Sequence, residues 1–491
     1  MGVNTETYQI GFWLFLQGLA LCFFLAFLSL LTQLGTLFGR DGILSIDIFL
    51  GALEREPGFS KYYQVPSLFW LSSHDLTLWL AVLAGLTVST LAFIGVAPGL
   101  MLFIAWLLYL SFVSTGQDFM GYQWDGLLLE LGFVTSLFLP WSLDGFGART
   151  FPNLTTDSQI YLVLFWLILF KLLFGSGLSK LLSKEKSWRE LSALNFHFWT
   201  QPLPNAGAYF MHQLPANIKK VITALVLAVE ILVPFMFFAS AEYKLIAAVI
   251  ILIFQLFIFV TGNFTFFNIL TSALTLTLVA DTYWQDFTWL NAIQPEFVAL
   301  NTSGWLLFVT VAMISIHLFW INFTISEKFV WNKLFIPVAR ILYYLRLNNH
   351  YSLFSTMTRE RYELILEGSR DGEHWQEYQF RYKPDSLTKP LKQVAPHQPR
   401  VDWQLWFAAL GHFHQNLWMQ NLVVQIFWQS PEVLRIFAHN PFGEEAPQFL
   451  RWQKYSYSFA AKNTDTHSRQ IWERQWLSTY SPIFNRDDFS E

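Results

Sequence analysis

The sequence predicts an α-helical polytopic membrane domain of about seven to nine hydrophobic segments, followed by a small α+β domain exposed to water. Two observations lead to this fold class. Hydrophobic residues make up 54% of the 491-residue chain and charged residues only 13%, whereas about a quarter of a typical soluble chain is charged. Long apolar runs fill the first two thirds of the chain, and the last third is mixed in character.

The membrane segments are predicted from apolar runs, because about 20 apolar residues are needed to cross the hydrocarbon core of a bilayer. The shorter runs are also compatible with re-entrant or interfacial segments, provided that protein groups or cavity water satisfy their backbone. In chain order, the candidate segments are residues 10–34, 76–94, 99–113, 126–139, 160–178, 221–238, 245–260, 266–280 and 305–323.

The change in character after these runs divides the chain into three predicted parts. Residues 1–327 form the transmembrane domain, residues 328–350 an interfacial linker, and residues 351–491 the water-exposed domain. In the linker, Arg340 and Arg346 stand among apolar side chains, which is typical of a helix that lies in the membrane interface.

The last part predicts a small α+β domain from alternating and turn-forming residues. Asp371-Gly372 is a strong turn signal between two strand-like runs. The predicted elements are strands over 362–367 and 375–382, a Pro- and Trp-rich segment over 394–410, a helix over 416–437 and a strand over 449–460.

Several classes of function are excluded by composition. The net charge of −4 comes with no basic stripe, so we expect no nucleic-acid partner. The single cysteine, Cys22, excludes an intramolecular disulfide and thiol exchange within the chain. The sequence also lacks the nucleophile elbow, the Walker loop, the dinucleotide fingerprint and the His-Glu-X-X-His motif. We predict no metal site.

Polar residues within or beside the apolar runs are the strongest local feature. Ionisable groups near hydrocarbon are costly and usually face the bundle interior or a water-filled cavity. They predict either a polar pocket that binds or transforms a ligand, or buried hydrogen bonds and an ion pair that fix helix packing. These candidates are Gln117, Asp118, Gln123, Trp124, Asp125, Glu130 and Lys171.

Two further candidates carry groups suited to catalysis. Lys180 is a nucleophile or base if desolvation lowers its pKa, although a lysine at a helix end more often extends to the interface. His197 is the residue best placed to titrate near neutrality. Gln201 and Asn263 complete the predicted pocket. Around Asn263 the sequence interrupts two apolar runs, and this interruption either exposes backbone to a cavity or forms an ordinary interhelical turn, which is the interpretation we prefer.

Five long tracts extend over nearly the whole chain and are more specific than short motifs. They are residues 116–133, 170–204, 261–271, 361–380 and 394–410. The last tract contains the motif residues His397, Gln398, Arg400, Asp402 and Trp403. Together, and in this order, the tracts resemble the lipase maturation factor family.

The resemblance implies a membrane protein that helps exported proteins to fold and assemble. Animal members are proteins of the endoplasmic reticulum membrane that act on lipoprotein lipase, and their C-terminal domain is lumenal. We expect an extracytoplasmic C-terminal domain here, although the basic loop from Lys180 to Lys220 favours the cytoplasm by the positive-inside rule. With one cysteine and no retention signal at the C-terminus, we expect a bacterial member in the cytoplasmic membrane, or the endoplasmic reticulum if the source is eukaryotic.

A more distant resemblance suggests an alternative function. Residues 177–181, followed by Trp188, are similar to the segment that carries the catalytic lysine of vitamin K-dependent gamma-glutamyl carboxylase, which implies that role for Lys180. That enzyme also uses a histidine in an earlier segment, and none is present in residues 116–130.

The hypotheses are therefore three. The first is a maturation factor that binds exported clients through its C-terminal domain and is not itself an enzyme. The second is an intramembrane enzyme acting on a lipid, quinone or peptide, with Lys180 as base or nucleophile supported by Asp125, Glu130 and His197. No cofactor is indicated by a motif, and a bound lipid or quinone is compatible with the sequence. The third, a transporter, is disfavoured because no inverted hydropathy repeat is found.

Overall fold

The computed structural model describes residues 6–139, 141, 150–153, 160–287, 296–299, 337, 340–460 and 470–489. The candidate segment at 305–323 and, within the predicted interfacial linker, residues 328–336 and 338–339 lie outside these residues. The helices are α1 Gln9–Leu31, α2 Leu34–Phe38, α3 Ile46–Glu54, α4 Ser60–Gln64, α5 Asp75–Phe93, α6 Pro98–Thr115, α7 Gln123–Phe138, α8 Ile160–Leu182, α9 Leu194–Thr200, α10 Ala206–His212, α11 Ala216–Ile231, α12 Ala241–Thr261, α13 Phe267–Leu276, α14 Arg400–Leu410, α15 Leu417–Phe427 and α16 Pro431–Leu434.

Within the described residues, six helices are long and apolar enough to cross a membrane. These spans are Gln9–Leu31, Asp75–Phe93, Pro98–Thr115, Leu162–Leu182, Ala216–Phe238 and Ala241–Thr261. The predicted segments at 126–139 and 266–280 are the shorter helices α7 and α13, of 16 and 10 residues. The prediction of a polytopic helical membrane domain is thus confirmed, and the protein is an integral membrane protein.

The outer faces of several spans carry large apolar side chains without protein cover. Leu80 on α5, Leu225 on α11 and Ile253 on α12 are among those exposed over more than half of their surface. In water such a surface would be unfavourable, so the lipid bilayer is the partner that covers it.

Helix α1 is the centre of the bundle and lies against α5 and α13. The absence of a side chain at Gly18 permits this packing, because a Cβ there would lie 2.3 Å from Cβ of Ala273. At the start of α1, the Asp281 carboxylate accepts hydrogen bonds from the backbone N–H groups of Gln9 and Ile10, at 3.0 and 2.9 Å. A carboxylate at this position satisfies N–H groups that have no partner within the helix.

Most of the described strands belong to the C-terminal domain. The strands are β1 Thr150–Asn153, β2 Glu296–Ala299, β3 Arg361–Ser369, β4 Trp375–Glu377, β5 Gln379–Phe380, β6 Phe437–His439, β7 Phe449–Phe459, β8 Trp472–Thr479 and β9 Phe484–Asn485. The domain is built on a five-stranded sheet of order β4-β3-β7-β8, with β9 paired to β7. The central pair β3 and β7 is antiparallel, and Arg361 lies opposite Tyr457. Gly372 has a φ of +82°, as the predicted turn requires.

The helix predicted over 416–437 is shorter than expected. Helix α15 ends at Phe427, and Gln429 has a φ of +55°. Pro431 then begins the short helix α16, where the N–H that proline lacks would have no partner within the helix. Phe437 belongs to strand β6 instead. The prediction was wrong because a proline in an apolar stretch starts a new element rather than continuing the helix.

The C-terminal domain and the basic loop lie on the same face of the bundle. Ser29, near the end of α1, contacts the chain at Gln398, and Arg359 forms an ion pair of 2.8 Å with Glu185 of the loop. The chain directly after the linker also contacts the membrane domain, because Tyr351 is buried and its hydroxyl donates to Glu130. The two parts of the chain are therefore packed together.

Candidate functional site: buried ion pairs and a cavity at the membrane domain

The first polar cluster joins the two domains through Asp125 and Arg400. Asp125 lies in the first turn of α7, and Arg400 is the first residue of α14. The two Nη atoms of Arg400 donate to the two carboxylate oxygens at 3.0 and 3.1 Å, and both residues are at most 1% exposed. The hydroxyl of Tyr109 donates to Asp125 at 2.5 Å, and the carbonyl of Phe119 accepts from Arg400 at 2.6 Å.

Paired hydrogen bonds of this kind are specific as well as strong. Removing one partner leaves a buried charge without compensation, which costs roughly 3–5 kcal/mol. Asp125 was predicted as a pocket residue and Arg400 as a family motif residue, and the structure brings the two together. The signal was present, since a buried carboxylate needs a cation or hydrogen-bond donors, but the sequence gives no way to choose this partner.

The residues next to Arg400 also attach the C-terminal domain to helix α1. The hydroxyl of Ser29 contacts Nδ1 of His397 at 2.9 Å and accepts from the backbone N–H of Gln398 at 3.1 Å. The amide of Gln33 donates to the carbonyl of Gln398 at 2.7 Å and accepts from the backbone N–H of Arg400 at 3.1 Å. Burial lowers the pKa of His397 to about 4.

Trp124 and Trp403 meet at the same boundary between the domains, whereas Asp402 binds backbone within the C-terminal domain. Nε1 of Trp124 donates to the side chain of Gln398 at 3.0 Å, and its ring lies 5.1 Å from that of Trp403. Asp402 accepts from the backbone N–H groups of Tyr382 and Lys383 at 3.0 and 2.8 Å. Burial nevertheless raises the pKa of Asp402 to about 6.

The second cluster is centred on Glu130. Its carboxylate forms an ion pair with Lys171 and accepts from the hydroxyl of Tyr351 at 2.7 Å and the amide of Asn349 at 3.1 Å. The structure thus contains the Glu130–Lys171 ion pair that the sequence offered as one alternative. The partners from residues 349–351 were not predicted. This arrangement holds the chain after the linker against α7.

The third cluster is the ion pair of Lys180 with Glu230. Nζ of Lys180 lies 2.6 and 2.7 Å from the two carboxylate oxygens and 5.1 Å from the centre of the Trp188 ring. Lys180 is 3% exposed, so the expectation that it extends to the interface was wrong. Gly177 allows α8 and α11 to approach, since a Cβ there would lie 2.9 Å from Cβ of Glu230.

A cavity of about 80 Å³ lies beside this ion pair. It is lined mainly by α8, α9, α11 and α12 and by the chain at Leu353 and Phe354, and its walls are mostly apolar. Of the predicted site residues, Lys180, His197 and Trp124 border it. Space for a water molecule needs about 10–15 Å³ on this measure, so the cavity can hold several waters or part of a small ligand.

His197 is half-buried, and its ring lies against aromatic neighbours. Ring centres lie 5.0 Å away for Phe354 and 6.3 Å away for Phe264. Burial and the nearby charge of Lys180 lower the pKa of His197 to about 4. The imidazole is therefore neutral near pH 7, and it can donate one hydrogen bond and accept another.

Gln201 and Asn263 hold backbone segments together. The amide of Gln201 donates to the carbonyl of Thr261 at 2.9 Å. The amide of Asn263 donates to the carbonyls of Leu203 and Lys392, both at 2.9 Å, and its oxygen accepts from the N–H of Val394 at 2.6 Å. The break around Asn263 is thus an interhelical turn that also binds the C-terminal domain.

The remaining predicted residues lie elsewhere. Gln117 and Asp118 are exposed at the surface, and Gln123 contacts Ser352 through a hydrogen bond of 3.1 Å from the Ser352 backbone N–H. The predicted polar set is therefore not one pocket but several sites. Among the described residues no group of three His, Cys, Asp or Glu side chains could hold a metal ion.

The chemistry of the cavity favours binding over covalent catalysis. A lysine nucleophile needs a neutral amine with a free lone pair, whereas Lys180 donates to both oxygens of Glu230. We find no specific support for the carboxylase-like alternative.

Comparison with known proteins covers nearly the whole chain. Residues 11–286 match the lipase maturation factor transmembrane domain, and residues 347–482 match the lipase maturation factor C-terminal domain. Asp125 lies in the first matched region and Arg400 in the second. No solved structure matches the chain.

The full-length relatives agree with these domain matches. Lipase maturation factor 2 of Homo sapiens is 30% identical over 596 residues, covering 97% of this chain and 82% of the relative. Lipase maturation factor 1 of Mus musculus is 29% identical over 531 residues, covering 100% and 89%. Lipase maturation factor 2 of Gallus gallus is 30% identical over 590 residues, covering 97% and 81%. The chain belongs to the lipase maturation factor family.

Proposed function

We propose that the protein is a membrane-embedded maturation or assembly factor for exported proteins. The observation that carries the proposal is the similarity to lipase maturation factors over both domains together. The buried Asp125–Arg400 pair supports it, because a client held by the C-terminal domain would be presented at a fixed place relative to the membrane.

The C-terminal domain offers a surface on which a client chain could bind. Unfolded chains expose apolar side chains, and exposed apolar side chains on a receptor bind them. Large apolar side chains on this domain that remain exposed by more than half are Leu417, Trp428, Trp476 and Ile483. Trp476 lies on β8, which ends the described sheet.

We further propose that this domain faces the extracytoplasmic side, where an exported client would meet it. The membrane would be the cytoplasmic membrane of a bacterium or the endoplasmic reticulum membrane of a eukaryote. The family membership supports this orientation, and the basic loop on the same face argues for the opposite one.

The test is deletion of the gene followed by limited proteolysis of the exported proteins, with peptides quantified by mass spectrometry. We expect a defined set of exported proteins to become protease-sensitive and to recover when the gene is restored. An exported proteome whose folding is unchanged by the deletion would refute the proposal.

A further inference from the structure

We propose that the cavity beside Lys180 and Glu230 binds a neutral amphiphile from the bilayer, with a hydrocarbon chain along its apolar wall and a hydroxyl or carbonyl oxygen at His197. This ligand site is independent of client binding and goes beyond the proposed function.

The walls of the cavity suit a hydrocarbon chain. Val226 of α11 and Phe254 and Ile258 of α12 line the cavity. On the same two helices, Leu225 and Leu256 are about 60% exposed, on surface that faces lipid. A molecule dissolved in the bilayer therefore lies only one layer of side chains from the cavity.

The polar end of the site is His197. Its ring borders the cavity, and no hydrogen bond joins it to another side chain or backbone group in the part of the chain that the structure describes. His197 is half-buried, so a ring nitrogen without a protein partner is available to a ligand in the cavity. Gln255 also borders the cavity, and its side-chain oxygen already accepts from Asn268 at 2.9 Å. A ligand oxygen at His197 would supply the missing hydrogen bond.

The charge of the site selects a neutral head group. The charged side chains that border the cavity are Lys180 and Glu230, and these neutralise each other through two contacts of 2.6 and 2.7 Å. A phosphate or carboxylate would have to lose its hydration without gaining a free cation, which is costly. A hydroxyl or carbonyl carries no such cost.

Two classes of neutral amphiphile have a hydrocarbon chain and a hydroxyl or carbonyl oxygen. One class comprises isoprenoid alcohols and quinones, and the other comprises long-chain alcohols and acylglycerols. Full-length protein in lipid nanodiscs should be labelled with two photoreactive probes, hexadecanol and farnesol, each with a diazirine in its chain. Palmitate with the same diazirine is the anionic comparison. Labelled peptides are located by mass spectrometry, and the alcohol that labels more strongly identifies the source.

We expect the alcohols to label peptides of α11 and α12 that line the cavity, about tenfold more than palmitate at equal concentration. Val226→Phe, which fills the cavity, should abolish this labelling. His197→Phe keeps an aromatic ring but removes the hydrogen bond, and should weaken labelling by about tenfold. Val221→Phe is the control, because Val221 lies on the same helix and is 60% exposed.

Equal labelling of the Val226→Phe and Val221→Phe proteins would overturn the proposal, as would equal labelling by palmitate and the alcohols. The thermal unfolding of each variant is measured in the same nanodiscs. If Val226→Phe does not fold, the comparison of His197→Phe with Val221→Phe decides, and unchanged labelling of His197→Phe would then contradict the proposal.

Discussion

At the scale of single residues, charge in a low-dielectric interior decides the structure. Asp125, Glu130, Lys171 and Lys180 could be identified as costly polar groups from the sequence alone, because they interrupt or border apolar runs. Their partners could not all be identified. Arg400 is 275 positions from Asp125, and such a pairing depends on the tertiary fold rather than on local pattern.

The Asp125–Arg400 pair gives a prediction on stability. Arg400→Met or Asp125→Leu alone should lower the free energy of unfolding by roughly 3–5 kcal/mol, because each leaves a buried charge unpaired. The double variant should lose less than the sum of the single losses. Denaturant unfolding of the purified protein measures this. Additive losses would show that the two side chains do not interact.

Asp402 gives a prediction on pH. Its folded pKa of about 6 lies above the unfolded value, so ionised Asp402 costs stability above pH 6 and the cost disappears as pH falls below about 4. Asp402→Asn keeps the acceptor for the Tyr382 and Lys383 N–H groups. The variant should therefore gain stability relative to the wild type at pH 7.5, by up to about 3 kcal/mol, and lose most of that gain by pH 4. A difference that does not vary with pH would contradict this account.

At the scale of elements, long periodic or apolar runs were predictable and their ends were not. Strands β3 and β7 and the turn at Gly372 follow from alternation and turn residues. Helix α15 ends before Pro431, but the apolar residues on both sides of this proline predicted one continuous helix. Close approaches between helices, such as that at Gly18, are set by the packing and cannot be located by composition.

The contact of α1 with α13 can be tested at Gly18. Gly18→Ala should destabilise the protein by about 1–3 kcal/mol, because the added methyl group would overlap with Ala273. Alanine otherwise favours a helix over glycine by about 1 kcal/mol. Gly51→Ala, in helix α3 with open space around it, should therefore stabilise slightly. Thermal unfolding in detergent compares the two, and equal shifts would contradict the packing.

At the scale of the whole molecule, the membrane domain and the C-terminal domain form one packed unit. The fold class and the family could be predicted from the sequence, because both rest on long tracts. The junction could not, since His397, Gln398 and Arg400 bind to α1 and α7 through contacts between distant parts of the chain.

The orientation of the unit is open to direct measurement. Cys22 is fully buried, so a cysteine placed on the surface provides a specific label. Glu445→Cys lies in the C-terminal domain, and Ser240→Cys is exposed at the opposite end of the bundle. We expect a membrane-impermeant maleimide added to intact cells to label Glu445→Cys and not Ser240→Cys. The reverse result would place the C-terminal domain in the cytoplasm.

The maturation role of the joined unit is tested most directly by the folded fraction of exported proteins in a deletion strain that carries either the wild-type gene or the Arg400→Met variant. The account predicts that the wild type restores the protease resistance of the affected proteins and that Arg400→Met does not, because loss of the buried ion pair weakens the attachment of the C-terminal domain to the membrane domain. Full restoration by Arg400→Met, or no loss of folding in the deletion strain, would contradict it.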